Sequence, residues 1–136
     1  MNLVDIPVNV LEKPTGMASA LMVELNDHLN NLISSGETHV IDLLSLPLNE
    51  ADINELADLL GVGEVKATIS SIGSSSIRET AYSGIWWITH YGDDEKVLSE
   101  LIEVTQVPQI LVTHMDEVRH SAKVLSGSLS GQENVI

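Results

Sequence analysis

The stretch "RETAYSGIWWITHY", Arg78 to Tyr91, decides how this chain folds. It holds both tryptophans and both tyrosines of a 136-residue chain that has no phenylalanine. Ser83-Gly84 is a two-residue turn signal between runs of period-two character, which predicts a hairpin with Tyr82 opposite Ile85 and Ala81 opposite Trp86. That register sets Ile77, Glu79, Ala81, Trp86, Ile88 and His90 on one face. Arg78, Thr80, Tyr82, Ile85, Trp87, Thr89 and Tyr91 take the other. Neighbouring strand residues point to opposite faces, so the two indoles are separated unless a bulge intervenes.

Working outward, "EVKATIS" alternates Val65, Ala67 and Ile69 with polar residues and predicts a half-buried strand. "GSSS" reads as a turn, and "SIGSSS" admits loops differing by one residue. One choice aligns Val65, Ala67 and Ile69 with the Glu79 face, the other with the Tyr82 face, so the core face stays open. Downstream, "GDDE" turns into a long strand, "KVLSELIEVTQV", that stops before Pro108.

Upstream, "NEADINELADLLG" is a helix. Asn49 is the N-cap, acids fill the first turn, Ile53, Leu56 and Leu60 form the apolar stripe, and Gly61 closes it. "THVIDLLSLP" precedes it as a short strand. An earlier helix begins after Thr15, carries Met17, Leu21, Leu25, Leu29 and Leu32 near helical spacing, and ends at Gly36. "THMDEVRHSAKVLSG" predicts a last helix with Gly127 beyond its end. The expected fold is α+β, an antiparallel sheet of four to five strands packed with about three helices. The expected organisation is an extended arm over residues 1–14, a single domain over 15–125 and a flexible tail over 126–136.

Composition removes whole classes of function. A net charge of −14 argues against nucleic acid and anionic lipid as partners, since both recruit Lys and Arg. It favours solubility and steering of a basic partner. With no cysteine, thiol nucleophiles, disulfides, thiolate zinc sites and cysteine-held iron–sulfur clusters are absent. No run is long and apolar enough for membrane insertion, and the first residues lack a signal-peptide pattern. The expected location is the cytoplasm.

For the tryptophans two readings stand. Either both rings pack inside, as Trp commonly does, or one centres a contact patch, where Trp, Tyr and Arg are enriched. The second reading nominates Arg78, Glu79, Tyr82, Trp86 and Trp87 as partner-binding residues. It is met equally by a foreign partner or by homodimerisation. His114, Asp116, Glu117 and His120 are close in sequence but lack an HExxH pattern, and a solvated helix start explains them better than a metal site. No phosphate loop or nucleophile elbow is present. Glu79 or Glu103 with a histidine would be the acid–base pair of a small enzyme, although cross-strand ion pairs account for both carboxylates.

The ordered set Leu46-Pro47-Leu48, Leu59-Leu60-Gly61 with Gly63-Glu64-Val65, Glu79-Thr80 before Gly84, Trp86-Trp87, and Glu103-Val104 with Pro108 has a family likeness. Over residues 38–111 it resembles the C-terminal-type domain of the HupH (HyaF, HoxQ) hydrogenase expression/formation proteins. The resemblance implies a non-enzymatic assembly chaperone in [NiFe] hydrogenase maturation, with no cofactor of its own. Its client would be a hydrogenase subunit, chiefly the iron–sulfur small subunit. Many members are about twice as long and carry related segments in tandem, whereas one copy is found here. A lone copy would then pair with itself if a second copy supplies part of the client surface.

Overall fold

The computed structural model describes residues 12–134. Among them are three α-helices and five strands: α1 (Met17–Ser35), β1 (His39–Asp42), α2 (Glu50–Leu60), β2 (Lys66–Ser71), β3 (Gly73–Glu79), β4 (Ile85–Tyr91), β5 (Val97–Val104) and α3 (Met115–Asn134), with 3₁₀ turns at Leu43–Ser45 and Gln109–Leu111. The strands form one antiparallel sheet in the order β1-β5-β4-β3-β2. This is the expected α+β class. The arm expected over residues 1–14 lies almost wholly outside the described residues.

The chain divides into two compact units, one ending at Gln106 and one starting at Val107. In the first, α1 and α2 bury one face of the sheet. Ala18, Leu21 and Leu25 from α1 and Leu56 and Leu60 from α2 meet Ile41, Ile85, Trp87, Ile102 and Val104. The second unit holds α3, whose described side chains are exposed and whose stripe of Met115, Val118, Leu125 and Leu129 is apolar. Helix α3 continues through Gly127 to Asn134, so residues 126–134 are helical where the composition reads as linker.

Two local expectations are corrected. The serines of "GSSS" are strand, with Ser74, Ser75 and Ser76 opposite Tyr91, His90 and Thr89. The reversal falls one step earlier, at Ser71–Gly73, where Gly73 has φ 85°. A serine run imposes no turn when cross-strand partners satisfy its backbone. The second correction is the hairpin register. Glu79 lies opposite Trp86 and Arg78 opposite Trp87, and the last cross-strand bond runs from the Thr80 N–H to the Ile85 C=O at 2.9 Å, so residues 81–84 make a longer loop in place of a two-residue turn. The loop is held locally by Thr80, whose hydroxyl accepts from the Tyr82 N–H at 3.2 Å and donates to the Tyr82 C=O at 3.2 Å. The ladder ends at Thr80, where this local bonding favours a loop over further pairing. The slip is two residues, so every side chain within the paired strands keeps its predicted face. Ala67 lies opposite Ile77, which aligns the second strand with the Glu79 face.

Helix α2 starts as its sequence dictates. The Asn49 side chain accepts from the Asp52 N–H at 2.8 Å, and the Asp52 carboxylate accepts from the Asn49 N–H at 3.2 Å, completing a capping box. Asp52 is fully buried, and its remaining acceptor capacity takes the Thr15 N–H at 2.7 Å and the Thr15 hydroxyl at 2.8 Å. One carboxylate thereby ties the residues before α1 to the start of α2. Desolvation by burial pushes the Asp52 carboxyl up, but the bonds from Thr15 and Asn49 outweigh it and hold it below the ordinary carboxylate value.

Asn49→Ala, which removes the cap and the bond from Asn49 to the Lys13 C=O at 2.8 Å, is expected to cost about 1 kcal/mol in urea denaturation. A depressed folded-state value means that the Asp52 contribution is complete at neutral pH and is lost as pH falls below about 4. Asp52→Asn should therefore flatten the acid limb of the stability–pH curve relative to the parent. Parallel acid limbs would show that Asp52 is not the group responsible.

Candidate functional site

Three of the segments that carry the family likeness, around Leu60–Val65, Glu79–Thr80 and Gly84, converge at one corner of the sheet. The loop after β3 is drawn onto the end of α2, where the Ala81 N–H donates to the Leu60 C=O at 2.9 Å. The chain leaving α2 pairs with the end of β3, with Gly63 N–H donating to the Glu79 C=O and Glu79 N–H to the Val65 C=O, both at 2.9 Å. Gly63 is required there, because a Cβ would sit 2.3 Å from the Thr80 carbonyl oxygen. Gly84, at φ 96°, turns the chain into β4, and its C=O accepts from the Thr105 N–H at 2.9 Å.

Two hollows flank the loop. The polar one, about 350 Å³, is lined by Val62, Gly63, Glu64, Glu79, Thr80, Ala81 and Ser83. The apolar one, about 190 Å³, is lined by Met22, Leu25, Asn26, Leu29, Tyr82 and Ile85. The loop thus presents a tyrosine over an apolar depression on one side and two carboxylates beside backbone carbonyls on the other. Such a surface can receive a basic or hydrogen-bond-donating group next to an apolar one.

The five nominated residues are not brought to one surface. Trp87 is 2% exposed in the core under α1 and α2, and its Nε1–H donates to Glu100 Oε1 at 2.9 Å. Arg78 lies on the same face, its guanidinium carbon 5.1 Å from the Trp87 ring centroid, a cation–π contact internal to the chain. Trp86 takes the opposite face and is 5% exposed, its Nε1–H donating to the Thr105 C=O at 3.1 Å. Both indoles are therefore off the accessible surface, against the reading that one of them centres an exposed patch. Tyr82 is 48% exposed and Glu79 is half-buried, and each borders a hollow of the corner. Sequence reasoning missed Glu64 and the backbone of Gly63 and Thr80. The signal was the spacing Gly61-x-Gly63, whose glycines mark a close approach of two backbones.

Of the histidines in the first unit, none lines either hollow of this corner. His90 Nδ1 shares a hydrogen bond of 2.7 Å with Ser75 Oγ. His28 and His39 stack with ring centroids 3.6 Å apart. On α3, His114 lies just ahead of the helix and His120 within it, and Asp116 pairs with Arg119 at 2.7 Å. Among the described residues no group of three or more His, Cys, Asp or Glu side chains could hold a metal. Glu79 and Glu103 both flank Trp86 in the register, and the residues lining the polar hollow include no histidine.

An antiparallel sheet under two helices, with the loop after β3 bonded to the end of α2, defines a small α+β module. Over residues 16–130 the chain matches the family described as "HupH hydrogenase expression protein, C-terminal conserved region", and it belongs to that family. It is similar to a solved structure described as hydrogenase expression protein HupH from Thiobacillus denitrificans, with 34% identity and a TM-score of 0.84, covering 88% of this chain and 99% of that one. It is 29% identical over 120 residues to the "Hydrogenase expression/formation protein HoxQ" of Azotobacter vinelandii, covering 84% of this chain and 42% of that protein. It is 30% identical over 105 residues to the "Hydrogenase expression/formation protein HupH" of Rhodobacter capsulatus, covering 77% of this chain and 38% of that protein. The chain thus spans about two fifths of the length of these curated relatives.

Burial makes a direct prediction. Trp86→Ala and Trp87→Ala should each cost about 3–5 kcal/mol, whereas Tyr82→Ala should cost under about 1 kcal/mol, as read by urea denaturation. Gly63→Ala should destabilise by about 1–3 kcal/mol, because the Thr80 carbonyl must move. Acrylamide should quench the tryptophan emission poorly. Efficient quenching would place an indole on the surface.

Proposed function

We propose that this chain is an accessory protein of hydrogenase maturation that acts by binding a hydrogenase component, without transforming a substrate. The observation that carries the reading is membership of the HupH C-terminal family together with relatives named as hydrogenase expression/formation proteins. The corner supports it physically. An exposed tyrosine beside two carboxylates, on a body of net charge −14, is chemistry for recognising a basic and partly apolar surface. The client we favour is the iron–sulfur small subunit, held in the cytoplasm before assembly. Within the nominated set, Tyr82 and Glu79 make the contact, and Arg78, Trp86 and Trp87 hold the hairpin that presents them.

The test is capture of separately expressed small and large hydrogenase subunits on the immobilised chain. The small subunit should be retained in preference to the large one. Tyr82→Ala and Glu79→Lys should each weaken retention about tenfold while leaving the thermal midpoint within a few degrees. Retention of neither subunit above an acidic control protein would defeat the reading. Retention of the large subunit alone would keep the maturation role and remove the small-subunit assignment.

A further inference from the structure

The sheet has two outer strands, and they are defended differently. β2 carries Lys66 and the exposed serines Ser70 and Ser71, polar residues that discourage strand addition. Among the described residues β1 is bonded on one side only, to β5, and it carries no lysine or proline. Its Val40 is 50% exposed. Alongside β1 runs a groove of about 400 Å³, walled by Met17, Ala20, Leu21 and Glu24 of α1 and by His39 to Asp42 of β1. The His39 ring is held in place by its stack on His28. The groove therefore has a set shape, an apolar floor and a strand edge as one rim.

Its charge names the occupant. The lining residues include Glu24 and Asp42 and neither Lys nor Arg. The Glu24 side chain is 49% exposed, and Asp42 spends one oxygen on the Leu44 N–H at 3.1 Å. A second copy would bring another acidic edge and another −14 charge to the same place, and like charges across an interface oppose pairing. An extended basic segment has the complementary sign.

We propose that the groove between α1 and the outer edge of β1 takes an extended, basic segment of a partner protein by strand addition. Main-chain bonds form along β1, alternate apolar side chains enter the groove, and Lys or Arg meets Glu24 and Asp42. This rests on the reading of the chain as a binding protein and adds a second contact, separate from the Tyr82 corner. The four residues of β1 offer few outward bonds, so the affinity is modest and salt-sensitive.

The probe is a synthetic decapeptide alternating Val or Leu with Lys, compared with its Glu-for-Lys counterpart and a version interrupted by two prolines. Calorimetry on the full chain should show saturable binding of the first peptide only, weakened by salt, with slowed amide exchange at His39–Asp42. Glu24→Lys, and Ala20→Arg at an exposed helix position lining the groove, should each weaken it about tenfold. The equivalent reversal Asp93→Lys, in the β4–β5 turn, should not. Equal binding of the proline-interrupted peptide, or an equal effect of Asp93→Lys, would overturn the proposal as mere charge attraction. Exchange protection at β1 with concentration-dependent dimerisation would assign the edge to a second copy. Binding that appears only after residues 1–11 are deleted would assign it to the chain itself. Either result overturns the proposal. Subunit capture that survives Glu24→Lys while the peptide fails to bind would sink the groove and leave the proposed function standing.

Discussion

Side chains alternate along a strand, so the adjacent Trp86 and Trp87 must enter opposite faces of the sheet, and the rest of the first unit follows from that separation. Trp87 fills the face that α1 and α2 cover, among Leu21, Leu25, Leu56 and Leu60. Trp86 goes to the other face, with Ile77 and Ile88 buried beside it in the register. Each indole finds a hydrogen-bond acceptor, Glu100 for one and the Thr105 carbonyl for the other, which a buried ring N–H requires. The hairpin is thus the joint between the two faces as well as a pair of strands.

With the indoles committed to structure, the surface chemistry passes to their neighbours. The Thr80 hydroxyl holds the start of the loop, the end of α2 captures it through Ala81, and Gly63 lets the two backbones close. Tyr82 is left over an apolar hollow, with Glu64 and Glu79 lining the polar one. Rigid scaffolds commonly carry function on loops held in this way. The Asp52 carboxylate does similar work elsewhere, joining two helix starts through bonds to Thr15 and Asn49.

Most of the fold was legible because its signals are local. Asn49 with Asp52 announces the start of α2, the 3.6 spacing of Leu21, Leu25 and Leu29 announces α1, and period two announces the central strands. The faces of the hairpin were legible even though its register was not, since a slip of two residues preserves parity. Less of the site was readable. Arg78 looks like a partner-binding residue until its guanidinium is found over Trp87, a contact made between paired strands.

By itself the sequence determined the helices, the alternation, the absence of thiolate chemistry and the acidic charge. Each of these is a property of residue type or of spacing within one element. The tertiary structure decided which sheet face became the core, that β1 stands at an outer edge beside β5, and that Gly63 meets Thr80. These depend on pairings between residues far apart in the chain, and local periodicity carries no term for them.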